Sequence, residues 1–249
     1  MKNRAYKNYI FDFYGTLVDI LTDEKDPVLW DKLAQLYQAY GADYKGEGLK
    51  KSYAKRVAQA RKELIEIKGV AYPEVDLVHI FNQLYVDARP QSSNSNQLDD
   101  WGNLIAMVFR VLSRKHVTAY PHTKEVLAFL KEQGCRLYLL SNAQAAFTNA
   151  EIDLMELSPY FDAIYLSSDV GICKPQPEFL KQVLDDHGVK PSETVMVGND
   201  LTTDIAVAEA VGIDGILLNT FPYSRRELEN SPIKPDRVIT DIEALKTNF

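Results

Sequence analysis

Carboxylates, hydroxyls and a lysine follow the ends of several short apolar runs in this sequence. In chain order these residues are Asp12, Tyr14 and Thr16; Ser141 and Asn142; Lys174; and Asn199, Asp200 and Asp204. Three carboxylates brought to one place repel one another unless a cation lies among them. Carboxylate and carbonyl oxygens are the ligands that Mg²⁺ prefers, and Mg²⁺ also binds substrate phosphate. If the fold gathers these residues, they predict a magnesium site that receives an anionic substrate.

Each of these groups has a simpler structural explanation when it is taken alone. Asp12 fits a cap of the turn before Gly15, and Asp200 and Asp204 fit caps of a helix that starts near residue 202. A Ser-Asn pair at a strand end is a common turn. The functional interpretation therefore depends on several groups occurring together, each at the end of a predicted strand.

The apolar pattern predicts strands and helices that alternate along most of the chain. Strands are predicted over 9–13, 136–140, 163–166, 194–197, 215–218 and near 237–240, and helices over 122–133, 144–155, 177–187 and 202–211. This alternation is typical of a Rossmann-like α/β fold, a parallel sheet with helices on both faces. Ligands bind at the carboxyl ends of the strands in such sheets, where the polar residues stand.

An all-helical stretch separates the first predicted strand from the others. Three apolar stripes with helical spacing occupy 27–89, a polar loop is predicted over 91–97, and a fourth helix over about 98–114. We therefore expect an α/β core formed by residues 1–18 and 115–249, with a helical cap domain inserted as residues 19–114.

Composition excludes several classes of protein and partner. The chain has 249 residues, and its formal net charge of −7 disfavours nucleic acid and anionic membranes as partners. No apolar run approaches the roughly 20 residues of a membrane span, and two cysteines fit a reducing compartment. We expect a cytoplasmic monomer or homodimer.

Residues 45–68 of the cap carry eight basic residues against three glutamates. This excess of positive charge fits either a solvated helix face or a surface that binds an anionic substrate.

Four segments resemble the motifs of the haloacid dehalogenase superfamily, whose members are mostly phosphatases. They are FDFYGTLV at 11–18, LSN at 140–142, GICKPQP at 171–177 and VGNDLTTDI at 197–205. The resemblance covers nearly the whole chain, and the helical insert takes the position of the family's cap. It implies Mg²⁺-dependent hydrolysis of a small phosphorylated metabolite through an aspartyl-phosphate intermediate.

The resemblance also implies a role for each residue. The catalytic residues are Asp12 as the nucleophile, Tyr14 and Lys174; the phosphate-binding residues are Thr16, Ser141, Asn142 and Lys174; the Mg²⁺ ligands are Asp12, the Tyr14 backbone carbonyl, Asp200 and Asp204. Asp204 either supports the metal site or orients Lys174. Phosphoryl transfer depends on in-line positioning and on cationic stabilisation, which this set supplies.

One position departs from the phosphatase pattern. Tyr14 stands where the phosphatases carry the aspartate that protonates the leaving group, and a tyrosine with a pKa near 10 is a poor base. The 2-haloacid dehalogenases, which use no metal, carry tyrosine there. Three other positions differ from the dehalogenase pattern: Asp200 stands in place of a serine, Leu180 stands in place of a tyrosine, and no arginine lies near Trp30, where the dehalogenases carry one. A phosphatase is therefore favoured; the alternatives are a 2-haloacid dehalogenase and a catalytically weak phosphometabolite-binding protein.

Overall fold

A parallel sheet forms the centre of the fold in the computed structural model, which describes residues 6–89 and 100–248. The strands are β1 (Asn8–Phe11), β2 (Val18–Thr22), β3 (Arg114–Ala119), β4 (Arg136–Ser141), β5 (Ala163–Leu166), β6 (Thr194–Gly198), β7 (Asp214–Leu218) and β8 (Arg237–Ile239). The sheet order is β5-β4-β1-β6-β7-β8, and every pairing is parallel. The predicted α/β fold class is confirmed.

The helices lie around this sheet and in the insert. They are α1 (Pro27–Ala39), α2 (Gly46–Lys68), α3 (Leu77–Ala88), α4 (Trp101–Ser113), α5 (Thr123–Glu132), α6 (Ala145–Leu154), α7 (Ser167–Val170), α8 (Pro177–His187), α9 (Ala206–Val211) and α10 (Arg225–Asn230). A π-helical turn, Leu201–Ile205, precedes α9, where the sequence predicts an α-helix from 202. The short helices α7 and α10 were not predicted, because four and six residues show too little periodicity.

The central strand β1 is buried on both faces of the sheet. Tyr9 and Phe11 point into one apolar cluster, which α5 covers, and Ile10 points into another, which α8 covers. This alternation follows from the two-residue period of a strand. Burial on both faces explains why the strand reads as a continuous apolar run.

Helices α1 to α4 share an apolar cluster of their own. Trp30 and Tyr37 from α1, Phe81 from α3 and Trp101 from α4 are almost fully buried in it. Helices with the predicted apolar stripes are present at these positions, whereas the predicted loop 91–97 and the predicted start of the fourth helix at 98 lie outside the described residues. The separate cluster is consistent with our proposal that residues 19–114 form a cap.

A two-stranded antiparallel ribbon, β2 with β3, lies where the chain enters and leaves the helical insert. The proposed boundaries after Val18 and before Lys115 fall inside its two strands. The sequence does not predict this ribbon, because its strands mix buried and exposed positions without regular alternation. In the described part of the chain, no helix is long and apolar enough to cross a membrane.

Candidate active site

The sheet order places three polar strand ends side by side. Strand β1 pairs with β4 on one side and with β6 on the other, in parallel and in register. Asp12 follows β1, Ser141 ends β4, and Asp200 comes two residues after β6. The Asp12 N–H donates to the Val197 carbonyl at 3.0 Å, which continues the sheet pairing up to this residue. Strand adjacency therefore brings Asp12 close to two residues that lie more than a hundred positions away from it in the sequence.

Lys174 lies at the centre of this group and is almost completely buried. Its Nζ donates to Asp12 Oδ1 at 2.7 Å, to Asp204 Oδ1 at 2.8 Å and to the Leu140 carbonyl at 2.7 Å. Burial disfavours the ammonium, but the two carboxylates outweigh burial and raise the pKa of Lys174. Lys174 with Asp12 and Asp204 is called the lysine cluster below. Its ammonium stays charged at neutral pH and holds Asp12 at a fixed place.

Asn142 fixes the backbone that carries this lysine. The Lys174 N–H donates to Asn142 Oδ1 at 2.7 Å, and Asn142 Nδ2 donates to the Lys174 carbonyl at 3.0 Å. This reciprocal pair ties the lysine segment to the end of β4. The Asn142 side chain is therefore engaged by Lys174, and its backbone remains for the predicted contact with phosphate.

Hydroxyl groups orient the Asp12 carboxylate from both sides. Ser141 Oγ donates to Oδ1 and Thr16 Oγ1 donates to Oδ2, each at 3.2 Å. Thr16 comes from the turn after β1, where Gly15 has φ +81°, a conformation that favours glycine. A Cβ on Gly15 would also lie 2.4 Å from the Asn199 side chain. The turn can therefore bring Thr16 back to Asp12 only with glycine at position 15.

Asp204 is buried, and protein donors engage both of its carboxylate oxygens. Oδ1 accepts from Lys174, and Oδ2 accepts from the Asp200 N–H at 3.0 Å. Burial raises the pKa of Asp204 to about 6, and the Lys174 ammonium opposes that rise. A Cβ on Gly198 would come within 2.3 Å of this carboxylate, so glycine is needed for its approach to β6. The contacts favour the interpretation in which Asp204 orients Lys174.

Asp200 uses one carboxylate oxygen to begin the π-helical turn. Its Oδ1 accepts from the Thr202 N–H at 2.6 Å and from the Thr203 N–H at 3.0 Å. Asp200 therefore caps this helical turn, as the structural interpretation of the sequence predicts. It accounts for only one of the two oxygens, and Asp200 also borders the hollow described next.

These side chains border a small hollow of about 220 Å³, called the active-site hollow below. Its lining residues are Asp12, Tyr14, Ser141, Asn142, Lys174, Asn199, Asp200, Thr203 and Asp204. Seven of the eight predicted site residues are among them. Thr16 is not, because it is fully buried and its hydroxyl contacts Asp12 and Asn199. Asn199 and Thr203 were not assigned a role from sequence, although both neighbour Asp200 and Asp204 in the acidic motif.

The donor set of this hollow fits Mg²⁺ with water and phosphate completing its coordination. Within the described residues, no group of three or more His, Cys, Asp or Glu side chains is arranged to hold a metal alone. Magnesium is commonly bound by one or two carboxylates together with waters and substrate phosphate. Asp12 and Asp200, with the Tyr14 backbone carbonyl, are the oxygen ligands we propose, whereas Asp204 is more deeply buried than Asp12 and both its oxygens accept from Lys174 or the Asp200 N–H.

The Tyr14 hydroxyl points away from the lysine cluster into a second set of charges. It donates to Glu151 of α6 and is 3.1 Å from Thr148 Oγ1. Glu151 also accepts from Arg110 Nε at 2.8 Å and from Arg114 Nη1 at 2.7 Å. We call Glu151, Arg110, Arg114 and the Tyr14 hydroxyl the junction cluster, because it joins Arg110 on the insert helix α4 to Glu151 on α6.

Charge and burial keep the junction cluster in one protonation state. Burial, with the Glu151 carboxylate nearby, raises the pKa of Tyr14 far above its usual range. Burial opposes ionisation of Glu151, but the hydrogen bonds from Arg110 and Tyr14 prevail and lower its pKa. Tyr14 is thus a neutral phenol at neutral pH, with its proton committed to Glu151.

Comparison with known proteins gives one family and two kinds of solved neighbour. The family model of haloacid dehalogenase-like hydrolases matches residues 6–212. A glyceraldehyde 3-phosphate phosphatase of Methanothermobacter thermautotrophicus is 31% identical over 131 residues, which are 51% of this chain and 57% of the relative. The chain spans about half the length of the curated relatives it matches.

Two crystal structures match almost the whole chain. The phosphatase from Thermococcus onnurineus has a TM-score of 0.63 at 20% identity, with 97% of this chain and 96% of that chain covered. The 2-haloacid dehalogenase from Pseudomonas syringae has a TM-score of 0.66 at 21% identity, with 98% and 97% covered. Similarity at this level of identity shows the fold alone, and the fold does not distinguish the two chemistries.

Proposed function

Since the chain belongs to the haloacid dehalogenase-like hydrolases, we propose that it is a Mg²⁺-dependent phosphatase of small phosphorylated metabolites. The observation that carries this proposal is the placement of Asp200 on the same hollow as Asp12 and Lys174. Three carboxylates face one ammonium in this region, and the excess negative charge favours a bound cation. A site for an anionic haloacid without metal would gain nothing from that carboxylate excess.

Asp12 is the proposed nucleophile. One of its oxygens forms a bond to phosphorus while the bond from phosphorus to the leaving oxygen breaks, which gives an aspartyl phosphate and releases the leaving group as its anion, a phenolate or a carboxylate, which then equilibrates with protons of the solvent. Water then attacks phosphorus, the aspartyl oxygen departs as the Asp12 carboxylate, and dihydrogen phosphate leaves. Lys174, Ser141 and Thr16 keep the carboxylate in place for both steps.

Two positive charges, a bound Mg²⁺ and the Lys174 ammonium, would stabilise the transferring phosphoryl group. Asp12, Asp200 and the Tyr14 carbonyl would hold Mg²⁺, which would neutralise charge on the transferring phosphoryl group. Lys174 carries the second positive charge, and Asp204 keeps the ammonium aimed at Asp12. The backbone N–H of Asn142 is the proposed donor to a phosphate oxygen.

Tyr14 limits the leaving groups that this site can expel. Its hydroxyl donates to Glu151 and therefore does not protonate a leaving oxygen in the active-site hollow. Aryl and acyl phosphates need no such proton, whereas alkyl phosphates do. We expect kcat/KM to rise steeply as the pKa of the leaving group falls. A flat dependence, with chemistry shown to be rate-limiting, contradicts this part of the proposal.

Dehalogenation is the second candidate, and Tyr14 is the observation that favours it. The cap arginine expected for it has no counterpart near Trp30, and Leu180 is buried in the core. Arg110, a buried cap arginine near Tyr14, is bound by Glu151 through Nε and Nη2 and does not line the active-site hollow. No arginine is among the described residues that line the active-site hollow, so none of them offers a guanidinium to a haloacid there.

A metabolite panel separates the candidates. The wild-type protein and Asp12→Asn are assayed for phosphate release with Mg²⁺, with EDTA, and with Mg²⁺ restored. We expect wild-type turnover that EDTA removes and Mg²⁺ restores. Chloride release from 2-chloropropionate in EDTA establishes a dehalogenase instead. Saturable ligand binding without turnover on any phosphate supports the third candidate, a binding protein.

A further inference from the structure

A second hollow of about 410 Å³ opens directly beside the active-site hollow. Its lining residues are Asn199, Asp200, Phe221, Pro222, Tyr223 and Glu227, and the first two also line the active-site hollow. The active-site hollow alone, at about 220 Å³, is smaller than the roughly 300–1,000 Å³ of typical ligand sites. A phosphate fits there, and the remainder of a substrate must occupy adjoining space.

Continuity with the active-site hollow distinguishes this space from the larger alternative. A hollow of about 550 Å³ lies between α2, α3 and residues 168–171. Among its described lining residues, none also lines the active-site hollow. Substrate atoms attached to a phosphate at Asp12 reach the neighbouring hollow across the shared side chains of Asn199 and Asp200, without leaving the site.

The loop that forms the second hollow is fastened to two of the active-site motifs. Thr220 Oγ1 donates to the Gly15 carbonyl, and the Leu201 N–H donates to the Tyr223 hydroxyl at 3.4 Å. Asn219 closes the loop on itself, because it accepts from the Tyr223 N–H at 2.8 Å and donates to the Tyr223 carbonyl at 3.1 Å. The loop is thus held in place before any ligand arrives.

This fastened loop presents an aromatic ring to solvent at the rim of the hollow. Phe221 is 71% exposed, the largest exposure among the large aromatic side chains described. Pro222 and Tyr223 extend the apolar surface beside it. An ordered, exposed ring next to a polar site offers contact area to a ligand at little conformational cost.

The charges of the hollow exclude one class of occupant. Asp200 and Glu227 are the carboxylates that line it, and no lysine or arginine is among the described residues that line it. Glu227 accepts from the Ser224 N–H at 2.7 Å and so is committed to the start of α10. Mg²⁺ would offset the charge of Asp200, but a leaving group with a second phosphate or a carboxylate would still meet the Glu227 carboxylate, with no lysine or arginine among the described lining residues to compensate it.

We propose that the Phe221 hollow binds the leaving group of the substrate and selects phosphate esters whose leaving group is uncharged and aromatic. The inference rests on the proposed phosphatase function and names its substrate class. Phe221 acts as a specificity-determining residue, and its ring contacts the aryl group while the phosphate lies at Asp12. The phosphoryl chemistry itself does not depend on it.

The test measures kcat/KM with phenyl phosphate, 4-carboxyphenyl phosphate and acetyl phosphate, with Mg²⁺, for the wild type, Phe221→Ala, Phe221→Tyr and Leu154→Ala. Leu154, which is 60% exposed on α6, is the matched control for loss of an exposed apolar side chain. We expect Phe221→Ala to lower kcat/KM for phenyl phosphate by about tenfold, mainly through KM, since an aromatic contact is worth about that factor. Its value for acetyl phosphate should stay within about twofold.

The remaining variants and the third substrate test whether the effect is specific to the aromatic ring of Phe221. Phe221→Tyr should restore wild-type kcat/KM with phenyl phosphate, and Leu154→Ala should change neither substrate. The wild type should use 4-carboxyphenyl phosphate less well than phenyl phosphate, although its leaving group is the weaker base. Equal losses on phenyl and acetyl phosphate, or no loss on either, overturn the inference alone. Absence of wild-type turnover on all three substrates overturns the phosphatase proposal, and this inference with it.

Discussion

Two clusters of buried charged side chains meet at Tyr14. In the lysine cluster, Lys174 contacts the carboxylates of Asp12 and Asp204. In the junction cluster, Arg110 and Arg114 contact Glu151. Tyr14 belongs to both regions, since it lines the active-site hollow and its hydroxyl donates to Glu151.

The two clusters differ in what their charges leave unsatisfied. The lysine cluster borders a hollow that Asp200 also lines, so that three carboxylates face one ammonium there. In the junction cluster, two guanidinium groups surround one carboxylate whose side chain is only 3% exposed, and neither Arg110 nor Glu151 lines that hollow. A cluster with an excess of carboxylates beside a hollow can take a cation and a substrate, whereas a cluster that does not border that hollow holds structural elements together.

The largest effect on activity should come from Asp12, the proposed nucleophile among the carboxylates that line the active-site hollow. Asp12→Asn removes the proposed nucleophile, and we expect kcat/KM to fall by about 10⁴-fold or more while the circular dichroism spectrum stays unchanged. Asp19→Asn, at a half-exposed carboxylate on β2, is the control. Turnover within tenfold of the wild type would remove the covalent mechanism and the distinction between the two clusters.

Removing the carboxylate of the junction cluster should affect stability instead. Glu151→Gln leaves the buried Arg110 guanidinium without its counter-charge, which should cost about 3 kcal/mol of unfolding free energy in urea. Activity per folded molecule should change by less than about threefold, because no reacting atom contacts Glu151. Glu156→Gln, at an exposed carboxylate paired with Lys124, should leave the urea midpoint unchanged. Unchanged stability of Glu151→Gln would contradict the structural role.

Asp204 lies within the lysine cluster but acts through other residues. Asp204→Asn keeps the hydrogen bond to the Asp200 N–H and loses the charge that orients Lys174, so kcat should fall by about 10–100-fold. Asp185→Asn, on the exposed surface of α8, is the control. A loss as large as that of Asp12→Asn would instead make Asp204 a direct participant in the reaction.

The contribution of the junction cluster to the free energy of unfolding should be lost at acid pH. The pKa of Glu151 is lower in the folded state than its ordinary value of 4.5. Its ionised form therefore stabilises the fold above pH 4.5, and this contribution is lost as the pH falls through the folded-state pKa. The stability difference between the wild type and Glu151→Gln, measured by urea unfolding from pH 7 to pH 3, should be constant above 4.5 and shrink below it. A difference that grows on acidification has the wrong sign.

The smallest effect should come from Tyr14, which lines the active-site hollow and donates its hydroxyl to the junction cluster. Tyr14→Phe keeps the backbone carbonyl and deletes the hydroxyl, so kcat/KM should stay within about threefold, while stability falls by about 1 kcal/mol through the lost hydrogen bond to Glu151. Both are measured on the same preparation. A tenfold drop in activity, at unchanged stability, would show that the hydroxyl serves the reaction.

The strand ends that border the active-site hollow were predictable from sequence because each motif is local. Asp12, Ser141 and Asp200 each follow a short apolar run, and parallel pairing brings such ends to one edge of the sheet. Lys174 follows its predicted strand, 163–166, at a distance of several residues, so its role came from the motif rather than from strand pairing. The pattern at Asp200 did not reveal that one oxygen caps the π-helical turn and the other is left for the site.

The junction cluster was not predictable in the same way. Arg110, Glu151 and Tyr14 lie in three distant segments, and the partners of Arg110 and Glu151 depend on how α4 packs against α6. The β2–β3 ribbon was also missed, although it joins the insert to the core. Both depend on tertiary contacts that leave no periodic signal, and the same applies to the loop that presents Phe221.

The central claim is that Asp12 becomes phosphorylated in a metal-dependent step. The most direct measurement is peptide mass spectrometry after acid quench of the wild type mixed with the best substrate of the panel, with Mg²⁺ and with EDTA. We predict one added phosphoryl group on the peptide that contains Asp12, present with Mg²⁺, absent with EDTA and absent in Asp12→Asn. Turnover with no phosphoryl group on that peptide, or an equal amount in EDTA, would contradict the claim.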